Sequence, residues 1–249
     1  MTWFTYLLRL GDDALIMAQR LSEWVGRAPV LEEDMALANI ALDQLGQARL
    51  LLSYAGEVEG AGRDEDALAY FRSDREFLNC QLVELPNGDF AQTIVKLLCF
   101  GVYQDLLYQR LAASADERLA AIAAKARKET AYHVDHARLW TLRLGDGTPE
   151  SHRRMRQALE EVWPYTHELF EDDEVTDELA ADGRAVRPGE LRQPWRATVE
   201  SLLREATLEP PTEDWAPTGG RRGIHTETLS YLLAQMQSVR RAYPTATRW

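Results

Sequence analysis

Lys128-Glu129-Thr130-Ala131-Tyr132-His133-Val134-Asp135-His136 sets a carboxylate and two imidazoles within three helical turns. Glu129 to His133 is an i, i+4 step and His133 to His136 an i, i+3 step, so all three share one helix face. Counting outward at the same spacing gives Leu119, Ile122, Ala126, Glu129, His133, His136 and Trp140. That stripe is otherwise apolar, the kind an amphipathic helix turns toward its core.

Inward-facing Glu and His on a long helix are the donor types of a carboxylate-bridged di-iron site in a ferritin-like bundle. Three further segments have matching periodicity. Residues 3–26 carry Tyr6, Leu10, Asp13, Met17, Leu21 and Trp24, and stop at Gly26 and Pro29. Residues 31–57 carry Ala36, Ile40, Asp43, Gln47, Leu50 and Tyr54. Asp89 caps a segment to about Ala113 with Ala91, Ile94, Leu98, Gly101, Asp105, Tyr108 and Ala112, and the fourth helix spans about 116–143. Two hairpins joined by a longer crossover are the connectivity of a ferritin-like bundle. The expected fold class is therefore all-α, a ferritin-like four-helix bundle with additional C-terminal helices. It forms one domain over 1–249, with a core at about 3–143 and a helical extension at about 148–249. Shorter helices are expected at Asp64–Phe71, Asp74–Leu85, 149–170 (interrupted by Pro164), 174–181, 189–206 and 225–242. The Pro- and Gly-rich stretch 207–224 reads as an ordered loop or a partner arm.

Each long helix places one acid on its stripe: Asp13, Asp43, Asp105 and Glu129. Four buried carboxylates need compensation. A working di-iron site takes Glu from two helices and Glu-x-x-His from the other two. Here Gly46 stands three residues after Asp43 and Tyr132 three after Glu129, His133 comes one step late, and three of the acids are the shorter Asp. Asp13, Asp43, Gln47, Asp105, Glu129, Tyr132, His133 and His136 thus read as the positions of a vestigial metal site. They are held by ion pairs with such neighbours as Arg49, Lys96, Lys125 and Lys128, or else they form a di-metal oxidase centre with degenerate ligands. Thr218-Gly-Gly-Arg221-Arg222-Gly-Ile-His225 offers a second motif, a backbone nest whose Arg221 and Arg222 would meet an anion or a partner.

A net charge of −12 and a pI near 5.0 argue against nonspecific nucleic-acid binding. Cys80 and Cys99 lack metal-ligand spacing and point to a reducing compartment. There is no run of 18 apolar residues and no basic leader, so a cytoplasmic protein is expected. Dinucleotide, Walker, nucleophile-elbow and CxxC motifs are missing from the sequence.

Several phrases, in order, resemble the C (structural, noncatalytic) subunits of the ring 1,2-phenylacetyl-CoA epoxidase family: Leu10-Gly11-Asp12, Asp34-Met-Ala-Leu-Ala-Asn39-Ile-Ala-Leu-Asp43-Gln-Leu-Gly46-Gln47-Ala-Arg49, Leu85-Pro86-Asn87-Gly88-Asp89-Phe90, Lys128-Glu129 with Tyr132-His133, and Thr218-Gly219-Gly220 with Gly223 and His225-Thr226-Glu227. The resemblance runs from about residue 6 onward. It implies a subunit without di-iron ligands and without a cofactor of its own, paired with a catalytic, di-iron A subunit of related fold and with further epoxidase subunits. The complex would insert one oxygen atom into the ring of phenylacetyl-CoA, using NADPH-derived electrons supplied through a reductase component.

Overall fold

The computed structural model describes residues 1–212 and 215–246. Among them are ten α-helices and no strand: α1 Thr2–Ser22, α2 Leu31–Glu59, α3 Glu65–Tyr70, α4 Gln81–Glu84, α5 Phe90–Leu111, α6 Glu117–Gly145, α7 Pro149–Val162, α8 Glu174–Ala181, α9 Arg192–Glu205 and α10 Glu227–Ala242. Side-chain caps set several starts: Asp64, Asp89, Asp116, Thr148 and Asp173 each accept a backbone N–H of the following first turn.

Contacts group the residues into two compact units, the first of 1–27, 34–86 and 219–249, the second of 28–33 and 87–218.

In the first unit, α1 and the part of α2 from Asp34 onward form an antiparallel pair. Trp3 packs edge-on against Tyr54, and Gly11 lies against Leu51 and Leu52. A Cβ at Gly11 would stand 2.8 Å from Leu52 Cδ2, so glycine sets how closely these helices approach. On α2 the buried line is Leu37, Ile40, Ala41, Gln44, Ala48, Leu51, Leu52 and Ala55. The expected stripe through Asp43 and Leu50 is rotated from it: Asp43 is half-buried and Leu50 exposed.

The expected helix Asp74–Leu85 is instead a 3-10 turn at Asp74–Glu76, an extended step through Phe77, and the single turn of α4. The backbone N–H groups of Leu78 and Cys80 donate to the carboxylates of Asp12 and Asp13, at 2.9 and 2.8 Å, rather than to helical carbonyls.

In the second unit, α5 and α6 form an antiparallel hairpin. Phe90 meets Trp140 edge-on, Gly101 faces Val134, and Asp105 meets Thr130. Small buried residues on α6 (Ala123, Ala126, Ala137) permit the approach. Pro164 ends α7, and the chain continues as a 3-10 helix, Trp163–Phe170. Trp163, Trp195 and Phe170 form an aromatic cluster, and the indole of Trp195 donates to the Cys99 carbonyl at 2.8 Å. Burial pushes the Cys99 thiol up to about 12. Iodoacetamide is therefore expected to leave Cys99 unmodified in the native protein at pH 8 and to alkylate it in denaturant, as read by mass spectrometry.

Candidate functional site

Asp12 and Asp13 stand side by side on α1, within a stretch buried from Tyr6 to Ala18. Two adjacent carboxylates there require cations, and two arginines distant in sequence supply them. Arg72 forks both Nη atoms onto Asp12, with Nη1 at 2.9 Å from Oδ2; its side chain is 2% exposed and that of Asp12 fully buried. Its remaining donors go to the carbonyls of Leu68 and Glu76, and its guanidinium stacks 4.2 Å over the Phe77 ring. Arg221 grips Asp13 the same way, Nη1 to Oδ1 and Nη2 to Oδ2, each at 2.8 Å. Nη1 also reaches the carbonyls of Arg9 and Leu78.

Arg221 is thus an internal counter-ion, where the sequence offered its guanidinium to an anion or a partner. The nest reading also fails on the backbone. The N–H groups of Arg222, Gly223 and Ile224 already donate to the carbonyls of Gly219, Gly220 and Gly219. Gly219 and Gly223 are required for another reason. Both have left-handed φ, and a Cβ at Gly223 would stand 2.3 Å from the Arg75 carbonyl oxygen. Arg222 is exposed.

The same arm continues into a second buried pairing. The Glu84 carboxylate, fully buried on α4, accepts from Asn79 Nδ2 at 2.8 Å and from the Thr226 N–H at 2.6 Å. It also meets His225 Nδ1 at 2.8 Å. His225 Nε2 lies 2.8 Å from the Phe77 carbonyl, which only accepts, so Nε2 carries a proton. Arg20 clamps the Glu84 carbonyl with Nε and Nη2 at 2.9 and 2.7 Å. Residues 219–226 are therefore latched to α1 and α4 by two carboxylates.

Asp43 is half-buried and Gln47 buried in this first unit, and Arg49 pairs with Glu65 at 3.4 Å.

In the second unit the buried line of α6 is Ile122, Ala126, Thr130, His133, Ala137 and Thr141. Thr130, not Glu129, takes the central inward position, with its hydroxyl 3.3 Å from Asp105 Oδ1. Glu129 lies at the edge of the stripe, and its carboxylate is 3.4 Å from Lys125 Nζ. His133 is buried as expected. Tyr132 is not inward at all: it is 79% exposed. Two residues past Thr130 on a helix is about 200° around, the opposite face. His136 meets a residue that the sequence reading missed. Its Nε2 is 2.7 Å from Oε2 of Glu33, a buried acid at the start of α2, and its Nδ1 has no hydrogen-bond partner. Lys96, buried on α5, bonds Asn87 Oδ1 at 3.1 Å, and Lys128 is exposed.

Asp12, Arg72, Glu84, Arg20 and Glu33 all escaped sequence reasoning. A signal existed for the first: two consecutive acids inside an otherwise apolar stretch need buried cations. Among the described residues no group of three His, Cys, Asp or Glu side chains is arranged to hold a metal ion.

A family model described as phenylacetic acid catabolic protein matches residues 1–249. The chain belongs to this family. The family's fold is ferritin-like and helical, in agreement with the all-α class expected from the sequence. Among the relatives of this family member is the C subunit of the 1,2-phenylacetyl-CoA epoxidase of Escherichia coli (strain K12), 50% identical over 239 residues that cover 96% of each chain. No helix among the described residues is long and apolar enough to cross a membrane.

Proposed function

We propose that this chain is the structural C subunit of a multicomponent phenylacetyl-CoA 1,2-epoxidase, noncatalytic itself, which supports a di-iron catalytic subunit fed with NADPH-derived electrons. One observation carries this reading: Asp13, a carboxylate at a position where a ferritin-like site would seat a metal ligand, has both oxygens taken by the Arg221 guanidinium. Both oxygens of that carboxylate are thus engaged by a cation of the chain itself. Tyr132 directed into solvent, Thr130 in the central inward position and Glu129 beside Lys125 favour the same conclusion. Such a donor set does not suit a metal pair. The 50% identity to a relative named as the C subunit of such an epoxidase supports membership in a multi-subunit enzyme.

The test is reconstitution with the other subunits of its epoxidase. Turnover of phenylacetyl-CoA should require this chain, yet survive Glu129→Gln and Asp43→Asn together within about threefold. A loss beyond roughly a hundredfold with the complex intact, the scale on which a catalytic group acts, would overturn the noncatalytic assignment. Failure of the wild-type chain to join any complex would overturn the subunit assignment.

A further inference from the structure

Helix α2 carries a second apolar stripe beside its buried line. About 120° round the helix run Met35, Ala38, Leu42 and Leu45, followed by Arg49, at alternating spacings of three and four residues. Met35 is 60% and Leu42 64% exposed. A surface helix ordinarily has one apolar stripe and an otherwise polar circumference, so a second, exposed apolar stripe calls for a partner, and 3–4 alternation is the spacing of a seam that packs against another helix.

The seam borders a groove. One cavity of about 300 Å³ lies among Leu15, Val25, Leu42, Leu45, Tyr70 and Met236. A second, of about 380 Å³, shares Leu15, Leu45 and Tyr70 with it and runs on to Arg49, Glu65 and Asp66. The two form one trough, all of it within the first unit. The lining residues of α2 run from Ala38 to Leu52. At 1.5 Å per residue that is roughly 21 Å, room for a helix of about four turns.

The ends differ in character. The Val25–Met236 end is apolar. At the other, Asp66 is exposed in the first turn of α3, beside Glu65, whose charge Arg49 shares. An occupant matched to this trough has apolar residues at i, i+3/i+4 and i+7 and a Lys or Arg at the end that meets Asp66. A second copy of this chain is a poor match. It carries the same acidic end and a net charge of −12, and the cation that ends its own seam, Arg49, is already paired with Glu65 at 3.4 Å.

We infer that the α1–α2–α3 trough receives an amphipathic helix, basic at one end, from another subunit of the assembly. This rests on the chain being a subunit, as proposed above, and its test separates the two claims. The probe is the set of other epoxidase subunits, co-expressed with the wild-type chain, with Leu42→Asp/Leu45→Asp, with the milder Leu42→Gln/Leu45→Gln, and with Asp66→Lys. Circular dichroism and the Tm of each chain alone check folding. Complex formation is read by size exclusion and by titration at low and high salt.

The inference predicts at least tenfold weaker association for the Asp pair, a smaller loss for the Gln pair, and a loss for Asp66→Lys that shrinks as salt rises. Full-strength complexes with all three folded variants would overturn the trough and leave the subunit assignment standing. No complex with the wild-type chain would overturn both. Self-association of the isolated chain that the Asp pair abolishes would make a second copy the occupant and overturn the inference.

Discussion

Arg72→Ala is expected to cost about 3–5 kcal/mol of folding stability, the loss seen when one partner of a buried ion pair is removed. Arg72 gives Asp12 a forked pair of bonds and also holds the carbonyls of Leu68 and Glu76. Without it, Asp12 keeps the Leu78 N–H at 2.9 Å but no charge to offset its own in an environment closed to water. The two carbonyls lose their donors as well, and Phe77 loses the cation over its ring. Urea unfolding of the single mutant would show the drop as a lower midpoint with little change in slope. Adding Asp12→Asn should recover part of it, because a neutral amide does not need a cation. A loss under about 1 kcal/mol, no more than an exposed ion pair contributes, would mean that Asp12 is not held as a buried charge.

The second large effect belongs to the latch. Arg221→Ala should cost about 2–3 kcal/mol, in the range of several hydrogen bonds to a charged group. It should be milder than Arg72→Ala because the Arg221 side chain is 14% exposed. Arg221→Lys should recover less than half, since an ammonium cannot reproduce two parallel bonds to one carboxylate. The damage should also be local. Hydrogen exchange should quicken at the amides of 222–226 before it does so along α5 and α6, because Arg221 ties that arm to α1 while Glu84 ties its far end. Equal loss of protection in both units would argue against a latch confined to the first.

The helices were legible because their periodicity and stop signals are strong. α1, α2, α5 and α6 begin and end within a few residues of the expected bounds, with Pro164 and the Gly-containing turns acting as breaks. What escaped was interaction across long sequence separations. Asp74–Leu85 has helical composition, yet Asp12 and Asp13 draw its N–H groups out of helical bonding, some 66 residues away in sequence. A stripe count fixes a helix face only to within about one position. On α6 that single step separates an inward Glu129 from an inward Thr130, and it decides that Tyr132 is outside. The Thr218–His225 stretch misled for a different reason. Glycine and arginine make both anion nests and tight backbone crossings, and only the Arg75 carbonyl beside Gly223 and the carboxylate beside Arg221 distinguish them.

Several phrases that carried the family resemblance fall on this framework. Gly11 and Asp12 sit at the α1–α2 approach and the Arg72 pair, Asn87 holds Lys96, Asp89 caps α5, and His225-Thr226 closes on Glu84. Each of these residues makes a contact that holds the fold of this chain.

If, as proposed, ion pairs and hydrogen bonds within this chain occupy the positions of a ferritin-like metal site, the chain by itself should hold no di-iron centre. Iron analysis of the chain, expressed alone in iron-supplemented medium and purified without chelator, tests it most directly. No stoichiometric iron is expected, with all iron in the reconstituted complex following the partner subunit. About two irons bound per chain, the content of a working di-iron bundle, would contradict it.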